Sequence, residues 1–138
     1  MCVPRTFYPP NTEYGGLASV GSKLIIKRDM SIRKTPFVAG EFYHIYNRGN
    51  SKQKIFHDKK DYERFVKLLY FSNSNKSFEF RNIAGKLFEL NRGKILVSIG
   101  AYCLMPNHFH ILVSQKENGS ISKFMQKLTT AYSMYYNT

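Results

Sequence analysis

"KILVSIGAYCLMPNHFHILVS", residues 94–114, is the stretch whose reading decides the fold. Residues 94–104 are a nearly continuous apolar run, suited to a central strand. "MPN" (105–107) is turn chemistry, with Pro106 fixing φ and Asn107 tolerating unusual dihedrals. "HFHILVS" (108–114) then returns as a second strand, so the stretch predicts an antiparallel hairpin. Side chains alternate across a strand, which puts His108, His110 and Leu112 on one face and Phe109, Ile111 and Val113 on the other. The second set is the natural core face. The two imidazoles are therefore expected on the face that the helices leave uncovered.

Working outward, "EFYHIYNRG" (41–49) is rich in aromatic and β-branched residues and ends at Gly49, a strand signal. Asp58 is a plausible helix N-cap, and Tyr62, Phe65, Val66 and Leu69 follow at helical spacing. Residues 73–93 are a weakly patterned connector that suits either a short hairpin or a helical piece. After "ENGS", Ser120 is an N-cap candidate for a helix whose apolar positions are Ile121, Phe124, Met125, Leu128, Tyr132 and Tyr135. The order strand, helix, strand, strand, helix predicts an α+β fold of the ferredoxin-like βαββα(β) kind. It is an antiparallel sheet with both helices on one face, and the closing strand is missing. Residues 1–35, with Pro4, Pro9, Pro10, Gly15 and Gly16, look unlike the rest. They are expected to be an N-terminal extension, flexible or a misplaced start before Met30, ahead of a domain over 36–138. Within them the run "KLIIKRD" has no clear partner.

The charge balance narrows the partner. Lys and Arg number 21 against 9 Asp and Glu, for a net charge of +12 over 138 residues and a pI near 9.8. A surplus of that size points to a polyanion, nucleic acid first and an anionic membrane surface second. With 43% hydrophobic and 15% aromatic residues the composition is globular rather than disordered. No stretch approaches the roughly 18 apolar residues of a membrane helix, and the first residues lack a signal peptide's apolar core. Cys2 and Cys103 are the two cysteines, and neither suggests a disulfide framework or a cysteine zinc site. A cytoplasmic, reducing location is expected.

A lone strand histidine is most often structural, but two at i and i+2 can converge on one ion. Two imidazoles without cysteine do not make a structural zinc site. A site completed by carboxylate, amide, water or phosphate oxygens suits Mg²⁺ or Mn²⁺. Other His-x-His enzymes fit poorly: one class needs a barrel of some 250 residues, and another adds an aspartate shortly after the second histidine. An open sheet in a very basic chain points instead to phosphodiester chemistry on nucleic acid. His44 shares its strand face with Phe42 and Tyr46, and a neighbouring strand would bring it near His108 as a supporting group or as packing. His57 reads as an ordinary surface or staple residue. DNA contacts are expected from Arg48, Lys52, Lys54, Lys59 and Lys60, with Arg33 and Lys34 before them, and Tyr46 is placed to stack on unpaired bases. A solvated basic face is the plainer reading of any single one.

"YHIYNRGN" (43–50), "AYCLMPNHFHILV" (101–113) and "ISKFMQKLTTAYSMYYN" (121–137) together resemble the insertion-sequence-200-like and REP-associated tyrosine transposases. These belong to the HUH group, in which U is a bulky apolar residue. The resemblance runs from about Phe37 to Thr138, and it makes His108, Phe109 and His110 the His-hydrophobic-His element. It implies a homodimer that binds single-stranded or hairpin DNA and uses a divalent metal. It further implies that a tyrosine attacks the phosphodiester to give a 5′-phosphotyrosine link. That tyrosine belongs to a later helix, in a stretch resembling "YIxxNP" that these residues do not contain. The nucleophile is accordingly expected beyond Thr138, the chain is expected to be a fragment or truncated product inactive alone, and Tyr136 is the weak candidate within it. Tyr132 and Tyr135 fall on the apolar stripe and read as packing. The rival reading is a catalytically inactive DNA-binding remnant of such a transposase.

Overall fold

The computed structural model describes residues 17–20, 23–26, 36–77 and 91–137. Seven principal elements follow in order: β1 (Leu17–Val20), β2 (Lys23–Ile26), β3 (Phe42–Arg48), α1 (Lys59–Ser72), β4 (Val97–Met105), β5 (His108–Gln115) and α2 (Ser120–Tyr136). β3, β5 and β4 form one sheet in that spatial order, and β5 is antiparallel to both neighbours. β3 and β4 therefore run parallel to each other, with α1 as the crossover between them and β5 inserted in the middle. That split β-α-β arrangement is the α+β, ferredoxin-like topology read from the order of elements. Among the described residues, β3 and β4 are the edges of this sheet.

The alternation in β5 sets the layers. Phe109, Ile111 and Val113 are at most 1% exposed, while His108, His110 and Leu112 are only partly covered. Ile45 and Leu104 flank the buried set on the neighbouring strands and Phe65, Phe124 and Leu128 meet it from the helices, all in one hydrophobic core. A slip of one residue would put both imidazoles into this core and Phe109 into water, so burial fixes the register. Met105 pairs with His108, leaving Pro106 and Asn107 as a two-residue turn.

The helix ends test the sequence signals separately. Asp58 caps α1 as expected: its side chain accepts from the backbone of Lys60 and Asp61, and Asp61 returns the bond in a capping box. Ser120 does not cap α2. Gly119 holds that position at φ 79°, where a side chain would be strained, and Ser120 becomes the first helical residue. "KLII" does have a partner, since β1 and β2 pair antiparallel over Leu17–Ile26 to Val20–Lys23. The hairpin or helical piece of the connector is expected within 73–93; its described parts, 73–77 and 91–93, hold no helix or strand, and 78–90 lie outside the described residues.

The segment between β3 and α1 is tied to the hairpin turn. Gly49 N–H donates to the Asn107 carbonyl at 2.9 Å, and the Ile55 and Phe56 amides donate to the Pro106 carbonyl at 2.8 and 3.0 Å. Gly49 is required here by close approach, because a Cβ at this position would strike the Gln53 carbonyl oxygen. Gly49→Ala is expected to destabilise the fold by about 1–3 kcal/mol, the usual cost of overpacking against backbone. Urea unfolding would read this, and an unchanged midpoint would show that the loop relaxes freely.

Candidate functional site

The open face of the sheet collects three imidazoles. His108 and His110 have ring centroids 5.0 Å apart, with planes at 84°. His110 lies 4.9 Å from the His44 ring, nearly parallel at 11°, and its Nδ1 is 2.7 Å from His44 Nε2. His44 thus reaches His110 rather than the expected His108. The cause is register: His44 stands opposite Leu112, and Tyr46 stands opposite His110, so the contact is a diagonal one. The Tyr46 ring sits 5.9 Å from His110 and 5.8 Å from His44, closing one side of the group. Cys103 is the cross-strand partner of His110 on the other side.

His108 is held by its neighbour in sequence. Its Nδ1 lies 2.6 Å from Asn107 Oδ1. Asn107 was read from sequence as a turn residue tolerant of unusual dihedrals, yet it is not among the non-glycine residues with positive φ. Its side chain fixes an imidazole instead, a role that spacing alone does not signal.

Burial, reinforced at His108 and His110 by neighbouring charged groups, favours the neutral form of these rings. Burial pulls the His108 pKa below its usual 6.5, and the Arg48 guanidinium, across the strand pair, adds to that. Burial likewise lowers His110, helped by repulsion from His44 and His108. His44 is lowered by burial. Neutral imidazole is the metal-binding form.

The donor set fits a divalent cation in one further respect. Both candidate ligands use Nδ1 for contacts within the protein, and neither Nε2 has a hydrogen-bond partner among the described residues. A ring nitrogen held by a neighbour, with the opposite nitrogen available, is the usual arrangement of a metal-binding histidine. Among the described residues no group of three His, Cys, Asp or Glu side chains is placed to hold a metal. Water and substrate oxygens would supply the remaining ligands, as Mg²⁺ and similar ions accept.

The basic residues fall on the same end of the sheet. Arg48 is exposed at the end of β3 beside His108, and Lys52 and Lys54 are exposed on the following loop. Ser51 and Lys52 both take left-handed φ, 51° and 62°. Lys60 is exposed in the first turn of α1. Lys59 forms a surface ion pair with Glu63 at 3.7 Å, so part of its charge is already answered. Arg33 and Lys34 lie outside the described residues. Neither described helix is long and apolar enough to cross a membrane.

The α2 tyrosine hydroxyls bond to the β3–α1 loop and the first turn of α1. Tyr132, 2% exposed, donates to the Ile55 carbonyl at 2.6 Å, and burial raises its pKa well above the usual range. Tyr135 donates to Asp61 at 2.8 Å, and its pKa is also raised, first by burial and then by that bond. Tyr136 donates to the Lys54 carbonyl at 3.2 Å and lies 2.9 Å from His57 Nε2. His57, read from sequence as an ordinary surface residue, is thus one end of a contact that bridges the loop to α2.

Compared with known families, residues 37–138 match the family model described as "Transposase IS200 like". No curated protein and no solved structure matches the chain.

Proposed function

The chain belongs to the IS200-like transposase family, and on that premise we propose that it acts on single-stranded DNA by metal-assisted tyrosine attack on a phosphodiester. The observation that carries this reading is the pair of partly exposed imidazoles, His108 and His110, side by side on the open sheet face beside Arg48. They are the residues to hold Mg²⁺ or Mn²⁺. Bound there, the ion supplies Lewis-acid polarisation of the scissile phosphate. Arg48, Lys52, Lys54 and Lys60 bind the phosphates to either side, and Tyr46 offers a ring to an unpaired base. The attacking tyrosine oxygen forms the bond to phosphorus as the 3′-oxygen leaves, and reversal joins a new 3′-OH. No external energy source is then needed, because the phosphotyrosine link conserves the bond. The resemblance supports a homodimer as the working unit.

A second reading has its own support. The hydroxyls of Tyr132, Tyr135 and Tyr136 all bind protein groups, which suits a DNA-binding remnant that does not cleave. One experiment separates the two. The chain is incubated with 5′- or 3′-labelled single-stranded hairpin DNA and Mn²⁺, and covalent adducts are mapped by mass spectrometry. A tyrosine adduct on single-stranded but not duplex DNA supports the transposase reading and identifies the nucleophile. The resemblance places the nucleophile beyond Thr138, so absence of an adduct supports the remnant only when a chain extended through that tyrosine helix also binds without forming one.

Either reading predicts strong salt dependence. With four cations on phosphate, the slope of log affinity against log salt on single strands should be about −3, at about −0.7 per phosphate. Lys54→Ala should make it shallower by about 0.7. Fluorescence anisotropy from low to moderate salt measures both, and a slope near zero would remove the proposed DNA surface.

A further inference from the structure

A histidine that binds a cation must keep a lone pair on the ligating nitrogen, and the partner of its other nitrogen decides whether it does. In a neutral ring the proton sits on one nitrogen or the other. A neighbour that can only accept pins it. A neighbour that can only donate reverses it.

At His108 the neighbour is an acceptor. Asn107 Oδ1 has lone pairs and no hydrogen, and at 2.6 Å from His108 Nδ1 it requires the proton on that nitrogen. His108 Nε2 is then the lone-pair atom. At His110 the neighbour is another imidazole, and the 2.7 Å between His110 Nδ1 and His44 Nε2 holds a single proton. Two arrangements satisfy that bond. Only the one with the proton on His110 Nδ1 leaves His110 Nε2 as a base, and it makes His44 Nε2 the acceptor with the His44 proton on Nδ1. Each histidine of the pair is thus supported by a different residue. One support is adjacent in sequence, and the other comes from the neighbouring strand β3.

We propose that Asn107 and His44 are the positioning residues of this site, holding His108 and His110 in the tautomers that leave each Nε2 free to ligate a divalent cation. The proposal rests on the metal reading above and adds to it which atoms ligate and what orients them. It also explains why a turn that needs no unusual dihedral ends in asparagine, since the amide oxygen works on the next residue's ring.

The test uses the full chain, labelled with ¹⁵N and free of metal, followed by titration with Mn²⁺ alone. Long-range ¹H–¹⁵N spectra report the tautomer of each histidine, which a merely structural role for Asn107 would not set. Wild type should show His108 protonated on Nδ1. Asn107→Ala should release that proton to Nε2 and lower Mn²⁺ affinity by about 10–100-fold, the usual cost of losing a metal ligand's orienting partner. Asn107→Asp, which keeps an oxygen in place, should retain both the tautomer and the affinity. His44→Phe keeps a ring beside His110 but removes the acceptor, and should lower Mn²⁺ affinity by a similar factor. A wild-type His108 protonated on Nε2 would overturn the inference, because the amide would then be presenting its NH₂ group. So would Mn²⁺ binding equally tight in wild type, Asn107→Ala and His44→Phe, and that result would leave the metal reading intact. Failure of wild type to bind Mn²⁺ with His108 in the stated tautomer would instead sink the metal reading, and the positioning role with it.

Discussion

Alanine at both His108 and His110 is expected to lower Mn²⁺ affinity by more than about 100-fold, since losing an orienting partner alone costs about 10–100-fold. Cleavage of single-stranded DNA by the active form should disappear with it. Affinity for the same DNA should stay within about 3-fold, because phosphate contacts from separate cations dominate such binding. Stability should change little. Both rings lie on the open face and are only partly covered, so their removal leaves no cavity beneath the helices. Calorimetry with Mn²⁺, anisotropy with labelled DNA and a thermal melt distinguish the three effects. Collapse of DNA affinity alongside metal affinity would make the histidines part of the DNA surface rather than a metal site. Acidification gives a second check on the wild type. Burial keeps both rings below their usual pKa of 6.5, so protons should compete with Mn²⁺ only below that pH. Loss of Mn²⁺ binding already above pH 7 would contradict neutral, ready-made ligands.

The period of the apolar residues made much of this arrangement legible. In β5 a two-residue alternation over His108–Val113 separates core from open face, and a slip of one residue would bury the imidazoles in place of Phe109 and Ile111. In α1 and α2 the helical spacing carries the same information, and Phe65, Leu69, Phe124 and Leu128 are buried as that spacing requires. What spacing cannot carry is the pairing between distant strands. That His44 meets His110 depends on β3 lying opposite β5 with Tyr46 facing His110, a register written in neither strand alone. The short β1, "LASV", has four residues and no alternation, so nothing in it marks a strand before β2 is seen to pair with it. Gly119 displaced Ser120 as the cap because the turn enters α2 through a left-handed residue, and a serine signal does not report the φ of the residue before it. Asn107 and His57 were missed for a common reason. Each is a residue type at home in turns and surfaces, and each gains its role from one contact that exists only after the chain folds.

Asn73→Ala is expected to be a severely destabilising polar substitution, lowering stability by about 3 kcal/mol or more. Asn73 is 6% exposed at the C-terminal end of α1, and both polar atoms of its amide are bonded. Its Oδ1 accepts from the Leu96 and Val97 amides at 2.9 Å each, and its Nδ2 donates to the Val97 carbonyl at 2.8 Å. Alanine would strand two donors and an acceptor beside Val97, which is fully buried, and each unsatisfied buried group costs about 1–3 kcal/mol. The loss would fall where β4 begins, at an edge of the described sheet that has no further strand to hold it. Urea denaturation at constant slope gives the free energy, and faster hydrogen exchange at the Leu96 and Val97 amides would place it at this junction. A change below about 1 kcal/mol would mean that water replaces the amide. Mn²⁺ affinity of the still-folded variant should match wild type, because the histidine pair lies at the opposite end of the β4–β5 hairpin from Val97. A chain that loses stability and keeps its metal affinity would show that the clamp at Asn73 holds the sheet, while the turn at Asn107 holds the site.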